Sequence, residues 1–426
     1  MIKEIQKRPF VRPLFIWITG IVLQSFVPVG FYSFLLLLVP AVILLASYVS
    51  SSRRQTEPVY SGRWVWAIMF VSILLFLSVQ MTAYHENKTV TASPNRLQEL
   101  AKAMQQHLTE PFNRLSLSDA EKSVLTAITL GKVQPTPKAV REQFSVTGVA
   151  HILSVSGFHV AIVCSFFSMV LSFFCRGHTG NWVKYALIIV LLWIFTAITG
   201  LAPSSVRAAT MLMLYLTGRQ LRYTTDGYNT LAASAFCMLA YNPFYLFDIG
   251  FQLSYIAVWS ILYLQPRLNK LLAIKNPLLS APWGCVTVTL AAQGGVTFLC
   301  LYYFGYFPVV FLFTNLPLTL IATLLIPVAL FWIFLPPCFF LSAWLQFCIE
   351  KLMYSMMWIV ETFSRVPGNA VVFHFSFVMM ILSYIALSLS FIYFINKRPR
   401  LLISSLLLML IVLFLMLIDK YLYIQV

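Results

Sequence analysis

The chain has 426 residues, of which 60% are hydrophobic and only 10% charged, with a mean hydropathy of +0.84 and a formal net charge of +16. A soluble domain carries about a quarter of its residues as charge, so this chain cannot cover itself with a water-compatible surface. The composition excludes a soluble globular protein and specifies a polytopic membrane protein.

In chain order, Lys3, Lys7, Arg8 and Arg12 precede a first apolar block, Leu14 to Val27. No small-residue cleavage site follows it, so it reads as a retained anchor. Blocks at Ser33 to Val49 and Trp64 to Val79 come next. After a polar interval they resume at Ile152 to Phe174, Trp182 to Thr199, Val206 to Leu216, Asn229 to Tyr241 and Phe244 to Leu264. The last third adds Val286 to Tyr303, Val309 to Phe334, Cys338 to Val360, Phe373 to Ile395 and Leu401 to Ile418. The blocks are unbroken runs of roughly 20 residues, the length of a helical span, and barrels would need short alternating strands. The expected fold is all-α, with about 12 transmembrane helices, some of them broken. Four regions follow: N-terminal spans over 1–80, an extracytoplasmic segment over 81–147, a channel-type domain over 148–335, and C-terminal spans over 336–426.

Basic residues cluster at alternate ends of successive spans: Arg53, Arg54 and Arg63; Arg176 and Lys184; Arg219 and Arg222; Arg267, Lys270 and Lys275; Lys397 to Arg400. The positive-inside rule puts these clusters and the N-terminus in the cytoplasm. It puts the turns at Pro28 to Gly30, Gly200 to Pro203, Asn242 to Pro243 and Gly305 to Pro308, together with Gln80 to Thr147, outside. That long interval holds an amphipathic helix with Leu97, Leu100, Ala101, Met104 and Leu108 on one face. A second helix opens with Ser118 and Glu121, a capping-box pair, and closes at Gly131. Three placements are open for these helices: against the bundle, on the lipid surface, or against nucleic acid.

Polar residues inside the oily blocks carry the functional signal. In "HILSVSGFHV", Gly157 permits a kink or break, and Ser154 and Ser156 would satisfy the backbone groups released there. On a continuous helix His151 and His159 would lie about 12 Å apart and roughly 80° apart in direction, so they would not ligate one metal by themselves. Interhelical hydrogen bonding and a place in a translocation path are both open. In "LAPSSVRAAT", Pro203 suits a helix start, and Arg207 follows in the opening turns, where the helix dipole disfavours a cation. It needs a carboxylate from another helix or an anionic ligand. In "NPFYLFDIGFQLSY", Asp248 sits at matching depth, Gln252 shares its face, and Gly250 allows close approach, so an Arg207–Asp248 pair is expected. Gln293, Gly294 and Gly295 suggest a packed or broken element, and Asn315 before Pro317 another irregular span. The seven cysteines are scattered singly and the six histidines dispersed. No catalysis, metal or cofactor is expected.

These pieces, "GVAHILSVSGFHVAIV", "ITGLAPSSVRAATM" with "LTGRQLR", and "NPFYLFDIGFQLSYIAVWS", together with the weaker "AAQGGVTFLCLYYFGYFPVVFLFTNLPL", resemble the ComEC family of bacterial competence membrane proteins. The resemblance runs from about Leu115 to Phe334. It implies an inner-membrane channel that passes one DNA strand into the cytoplasm, with His151, Ser156, Gly157, His159, Arg207, Asp248, Gly250, Gln252 and Ser254 at motif positions. It also implies membrane lipid, single-stranded DNA, and separate uptake-motor and DNA-receptor proteins as partners. Complete family members add an OB-like domain and a metallo-hydrolase-like domain. The interval from Val79 to Ser118 and the residues after Ile418 leave no room for either, so nuclease activity is not expected. A transporter of another anionic solute and a non-conducting scaffold are the alternative readings.

Overall fold

The computed structural model describes residues 8–28, 30–35, 37, 38, 41–43, 45, 46, 63–88, 96–131, 136–175, 177–223, 225–272, 274, 276–336 and 340–424. The Ser33 to Val49 block lies partly outside them, at residues 36, 39, 40, 44 and 47–49. Lys3, Lys7, Arg53, Arg54, Lys132, Arg176, Lys275 and Cys338 lie outside them too, as do the side chains of Arg63 and Leu97.

Residues 35, 37, 38, 41–43, 45 and 46 are helical, and fifteen further α-helices are delimited at both ends among the described residues. They are α1 (Val11–Phe26), α2 (Arg63–Lys88), α3 (Arg96–His107), α4 (Asp119–Leu130), α5 (Lys138–Val146), α6 (Gly157–Phe174), α7 (Gly177–Ile198) and α8 (Pro203–Gln220), followed by α9 (Gly227–Tyr241), α10 (Ile249–Asn269), α11 (Pro277–Phe304), α12 (Phe311–Ile333), α13 (Phe340–Ser364), α14 (Phe377–Asn396) and α15 (Pro399–Ile424). Twelve of them hold 15 or more residues. Seven, namely α2, α6, α7, α11, α12, α14 and α15, are long and apolar enough to cross a membrane. The expected count of spans was larger, and the difference has two causes. Helices α1 and α9 have 16 and 15 residues, short of the roughly 20 a span needs. Helices α8, α10 and α13 have the length but carry Arg207, Gln252 and the Glu350–Lys351 pair within their apolar runs.

Three local expectations change. The chain is not helical throughout: strands β1 (Tyr306–Pro308) and β2 (Ala370–Val372) pair antiparallel, Phe307 opposite Val371. The ladder is prolonged by Phe373 N–H donating to Gly305 O at 2.8 Å and Val309 N–H to Asn369 O at 2.7 Å. The "HILSVSGFHV" segment is not one broken helix. It is a single 3-10 turn at Ala150–Ile152 and a short connection, with the helix beginning at Gly157. Helix α12 runs unbroken through Pro317 and Pro327 where an irregular span was expected, while Gln293-Gly294-Gly295 in the continuous α11 takes the packed form of the two expected.

The chain divides into two compact units. The first comprises Met1–Lys102, Phe167–Thr196 and Pro203–Tyr255; the second comprises Ala103–Phe166, Ala197–Ala202 and Ile256–Val426. In the first, α1 packs along α2 and α9. The core is Trp17 and Ile21 from α1, Leu74 from α2, Ala235, Met238 and Leu239 from α9, and Phe251 from α10. Arg8 donates from Nε to Asp226 Oδ2 at 2.6 Å and its guanidinium lies 4.4 Å from the Tyr228 ring, which fastens the start of α1 to the start of α9.

In the second unit, α4 is buried from Ser123 to Leu130 without interruption and packs against α12 and α13. The expected capping box is present, with Ser118 N–H donating to Glu121 Oε2 at 2.8 Å and Gly131 closing the helix at φ 70°. This helix therefore packs on the bundle. Helix α3 behaves differently: Leu100, 67% exposed, and Met104 face outward, while Ala101 and Gln105 are buried. Gln105 donates from Nε2 to the Leu130 carbonyl at 2.6 Å, so a polar side chain occupies part of the face expected to be apolar. A third short helix, α5, was not anticipated; it buries Val140 and Phe144, one turn apart.

Candidate functional site

The histidine-serine segment belongs to the second unit. Helix α5 ends with Gly148 at φ 78° and Val149 N–H donating to Phe144 O at 2.9 Å, the six-to-one closure of a Schellman motif. The chain turns through Ala150–Ile152 and reaches Ser156, which precedes α6. Helix α12 holds this turn from the side, because Thr314 donates from Oγ1 to the Thr147 carbonyl at 2.7 Å. The next residue, Asn315, makes polar contact with His151, which also contacts the Gly148 backbone. Asn315 Nδ2 donates to Thr289 Oγ1 on α11 at 3.0 Å, so one amide joins three segments. His151 makes these contacts while remaining exposed. Ser154 is likewise exposed.

His159 is fully buried and reaches back over the helix start. Its Nδ1 accepts the Ser156 backbone N–H at 3.1 Å and lies 2.8 Å from Ser156 Oγ. In a capping box a glutamate or glutamine three residues into the helix does this work; here an imidazole does. A backbone N–H can only donate, so Nδ1 is the acceptor and the neutral ring carries its proton on Nε2. Nε2 is buried and has no hydrogen-bond partner among the described residues. The two histidines are within electrostatic reach of each other, which the chain achieves by leaving the helix between them. They are not joined by a third ligand: no group of three or more His, Cys, Asp or Glu residues comes together among the described residues.

Arg207 and Asp248 belong to the first unit. Pro203 starts α8, as expected, and Arg207 lies one turn in, with a side chain only 7% exposed. The expected pair forms, with Arg207 Nη1 3.7 Å from Asp248 Oδ1. That distance is too long for a charge-assisted hydrogen bond, which spans about 2.7–2.9 Å. The carboxylate is committed elsewhere: Asp248 Oδ1 accepts the Phe251 N–H at 2.7 Å and so caps α10. Half of the Asp248 side chain faces solvent. The guanidinium consequently has a counter-charge but no hydrogen bond among the described residues, and its Nε is buried without a partner. Gly250 keeps the space beside it open, since a Cβ there would meet Asp248 Oδ1 at 3.1 Å and Arg207 Nη2 at 3.2 Å. Gln252 donates from Nε2 to the Leu246 carbonyl at 3.1 Å, Ser254 from Oγ to Phe251 O at 3.1 Å, and Tyr255 from its hydroxyl to Ser234 Oγ at 3.3 Å. Tyr245 and Tyr255 also lie within electrostatic reach of the guanidinium.

Of the residues singled out from the sequence, Arg207, Asp248, Gly250 and Gln252 come together at the start of α10, with Ser254 bonded into the helix itself. His151, Ser156, Gly157 and His159 come together at the start of α6. Asn315 and Thr289 were not among the site residues. The signal for Asn315 was its being a lone amide in a 23-residue apolar helix, and its partner His151 lies far away in sequence.

The competence-protein family model matches residues 128–398, a stretch that takes in both clusters and Asn315. It begins later than the Leu115 to Phe334 resemblance and runs past it through α14. The chain is also 28% identical over 236 residues to ComE operon protein 3 of Bacillus subtilis (strain 168), covering 53% of this chain and 28% of that protein. It thus spans less than a third of that relative's length. No solved structure matches. With a family match over well more than half its residues and a polytopic helical architecture, the chain belongs to the competence-protein family of membrane proteins.

Proposed function

We propose that this chain is a membrane conduit for one strand of DNA during natural transformation, with Arg207 meeting the phosphate backbone. The observation that carries this reading is the buried Arg207 guanidinium, paired loosely at 3.7 Å and holding no hydrogen bond among the described residues. An arginine inside a membrane bundle is costly and characteristically faces a pathway or wet cavity. A phosphodiester offers two acceptor oxygens suited to the guanidinium fork. Asp248 keeps the attraction finite, which a conduit requires, because a phosphate that binds must also leave. His151 and Ser154, both open to solvent, line the path in this reading, with His159 behind them.

The finer architecture belongs to the same proposal. All twelve long helices cross the inner membrane of a bacterium, the N-terminus is cytoplasmic, and the chain performs no catalysis. Strand movement is driven by a separate motor protein, since the sequence has no Walker-type nucleotide site, and DNA is delivered by a separate receptor.

The test is a clean deletion in a cell without a second homologue, complemented with the wild type, Arg207→Ala, Arg207→Lys or His159→Ala and given labelled DNA. Arg207→Ala, present at wild-type level, lowers internalised DNA at least tenfold while surface binding persists, and Arg207→Lys restores part of it. Normal uptake with Arg207→Ala would refute the role of this arginine. Normal uptake in the deletion strain would refute the conduit and leave an anion transporter or a scaffold.

A further inference from the structure

At the end of the first unit where α8 stops and α7 begins, a cavity of about 380 Å³ is lined by His178, Asn181, Trp182, Arg219, Gln220 and Arg222, with Leu221. Neither arginine side chain forms an ion pair or hydrogen bond among the described residues, and the same is true of the side chains of His178 and Asn181. Two guanidinium groups at one mouth make the local potential positive, which favours an anion there. Arg222 strengthens the point. It holds φ 57°, in the left-handed region where glycine normally closes a helix, and Tyr223 N–H donates to Gly218 O at 3.1 Å to complete the turn. An arginine stands where the backbone favours glycine, and it lines the cavity.

The cavity also has an apolar continuation. Trp182, which forms part of its wall, begins a ridge on α7 that continues through Ala186, Val190 and Ile194, four residues apart and all exposed. Twelve residues of helix span about 18 Å, close to the roughly 15 Å of one leaflet's hydrocarbon. A free phosphate would use the arginines and leave the ridge unused. A DNA strand would want stacking partners, and Trp182 is the one aromatic side chain lining the cavity. We infer that this cavity binds the headgroup of an acidic phospholipid, whose acyl chain lies along the α7 ridge. Basic pockets between spans at a membrane surface are suited to such headgroups. This site is independent of the strand path at Arg207.

The test uses the purified full-length chain in zwitterionic detergent, with lipid retention read by native mass spectrometry. Dioleoylphosphatidylglycerol is retained at least tenfold better than dioleoylphosphatidylcholine, and the Arg219→Ala/Arg222→Ala double variant loses that preference. Arg222→Gly is the sharper variant, because glycine suits the backbone there. It keeps the thermal midpoint of the wild type or exceeds it while lipid retention falls. Phosphatidylglycerol retention unchanged in both variants, or phosphatidylcholine held equally well, would overturn the inference. Displacement of the lipid by inorganic phosphate alone would assign the cavity to a free anion. Displacement by a 20-nucleotide oligothymidylate at lower concentration than phosphatidylglycerol would assign it to nucleic acid. Either displacement would also overturn the lipid assignment.

Discussion

Asp248 serves two neighbours with one oxygen, and substitutions separate the two services. Asp248→Asn keeps an acceptor for the Phe251 N–H and removes the charge facing Arg207. Arg207 is buried, so removing its counter-charge leaves the cation uncompensated and costs about 1–3 kcal/mol, the solvent-facing half of Asp248 keeping the loss below that of a fully buried pair. Asp248→Ala also removes the helix cap and costs about 1 kcal/mol more. Chemical unfolding of the detergent-solubilised variants checks the order, and equal losses for the two would show that the cap contributes nothing. His159 admits a similar division. His159→Gln retains an acceptor for the Ser156 N–H and stays within about 1 kcal/mol of wild type, whereas His159→Ala orphans that N–H and loses about 1–3 kcal/mol. Glutamine does not reproduce the buried Nε2–H. A fall in DNA uptake with His159→Gln at normal protein level would therefore report the imidazole and not the cap.

Between helices, side-chain size decides how closely backbones approach, and adjacent glycines of α11 differ sharply in this respect. A Cβ on Gly295 would stand 2.5 Å from Ser260 Cβ and 3.3 Å from the Ile256 carbonyl on α10, while one on Gly294 would meet only Leu264 Cδ1 at 3.6 Å. Ser260 is further tied by its Oγ donating to Ala291 O at 2.7 Å, and Tyr384 donates to Gly295 O at 2.8 Å, so neither helix is free to retreat. Gly295→Ala is expected to cost about 1–3 kcal/mol and Gly294→Ala close to nothing; thermal midpoints of the two variants make the comparison. The Gln-Gly-Gly sequence revealed that something unusual happens there, but not which glycine matters, because that depends on a helix more than 30 residues away. The same limit applies elsewhere. The spans of α6, α7, α11, α12, α14 and α15 were legible because each is a block of apolar residues, and the Arg207–Asp248 pair because intramembrane charges are scarce. Packing of α4 on the bundle was among the expected placements, but Ser123, Thr126 and Thr129 read as polar and kept the others open. Their hydroxyls donate to the Ala120, Lys122 and Leu125 carbonyls inside the helix, which leaves its surface effectively apolar. Three-residue strands are too short to show alternation, so β1 and β2 were invisible.

Across the whole molecule the open question of scale is how many of the twelve long helices span the membrane, and the small sheet bears on it. Strand β1 follows the end of α11 and β2 precedes the start of α14, and their pairing puts those two helix ends on one side. Between them the chain makes α12 and α13. Helix α12, with 23 residues and high hydropathy, is long and apolar enough to cross, and a crossing there requires a second one to return, for which only α13 is long enough among the described residues. Its Glu350 is then accommodated by accepting the Ser116 N–H and a bond from Gln346, both at 2.9 Å. The proposed orientation rests on the charge distribution. In the first unit Arg8 bonds Asp226 beside the Arg219–Arg222 end of α8, so three arginines share one end, which the positive-inside rule assigns to the cytoplasm. In a cysteine-free background, Lys102→Cys and Gly368→Cys should react with a membrane-impermeant maleimide added to intact cells, and Arg267→Cys and Arg400→Cys only after the membrane is opened. Reaction of Gly368→Cys from the inner face alone would mean that α13 does not cross. Reaction of Lys102→Cys from the inner face alone would invert the side assigned to α3 and with it the orientation of α6, because the polar interval between α2 and α6 contains no helix long enough to cross among its described residues.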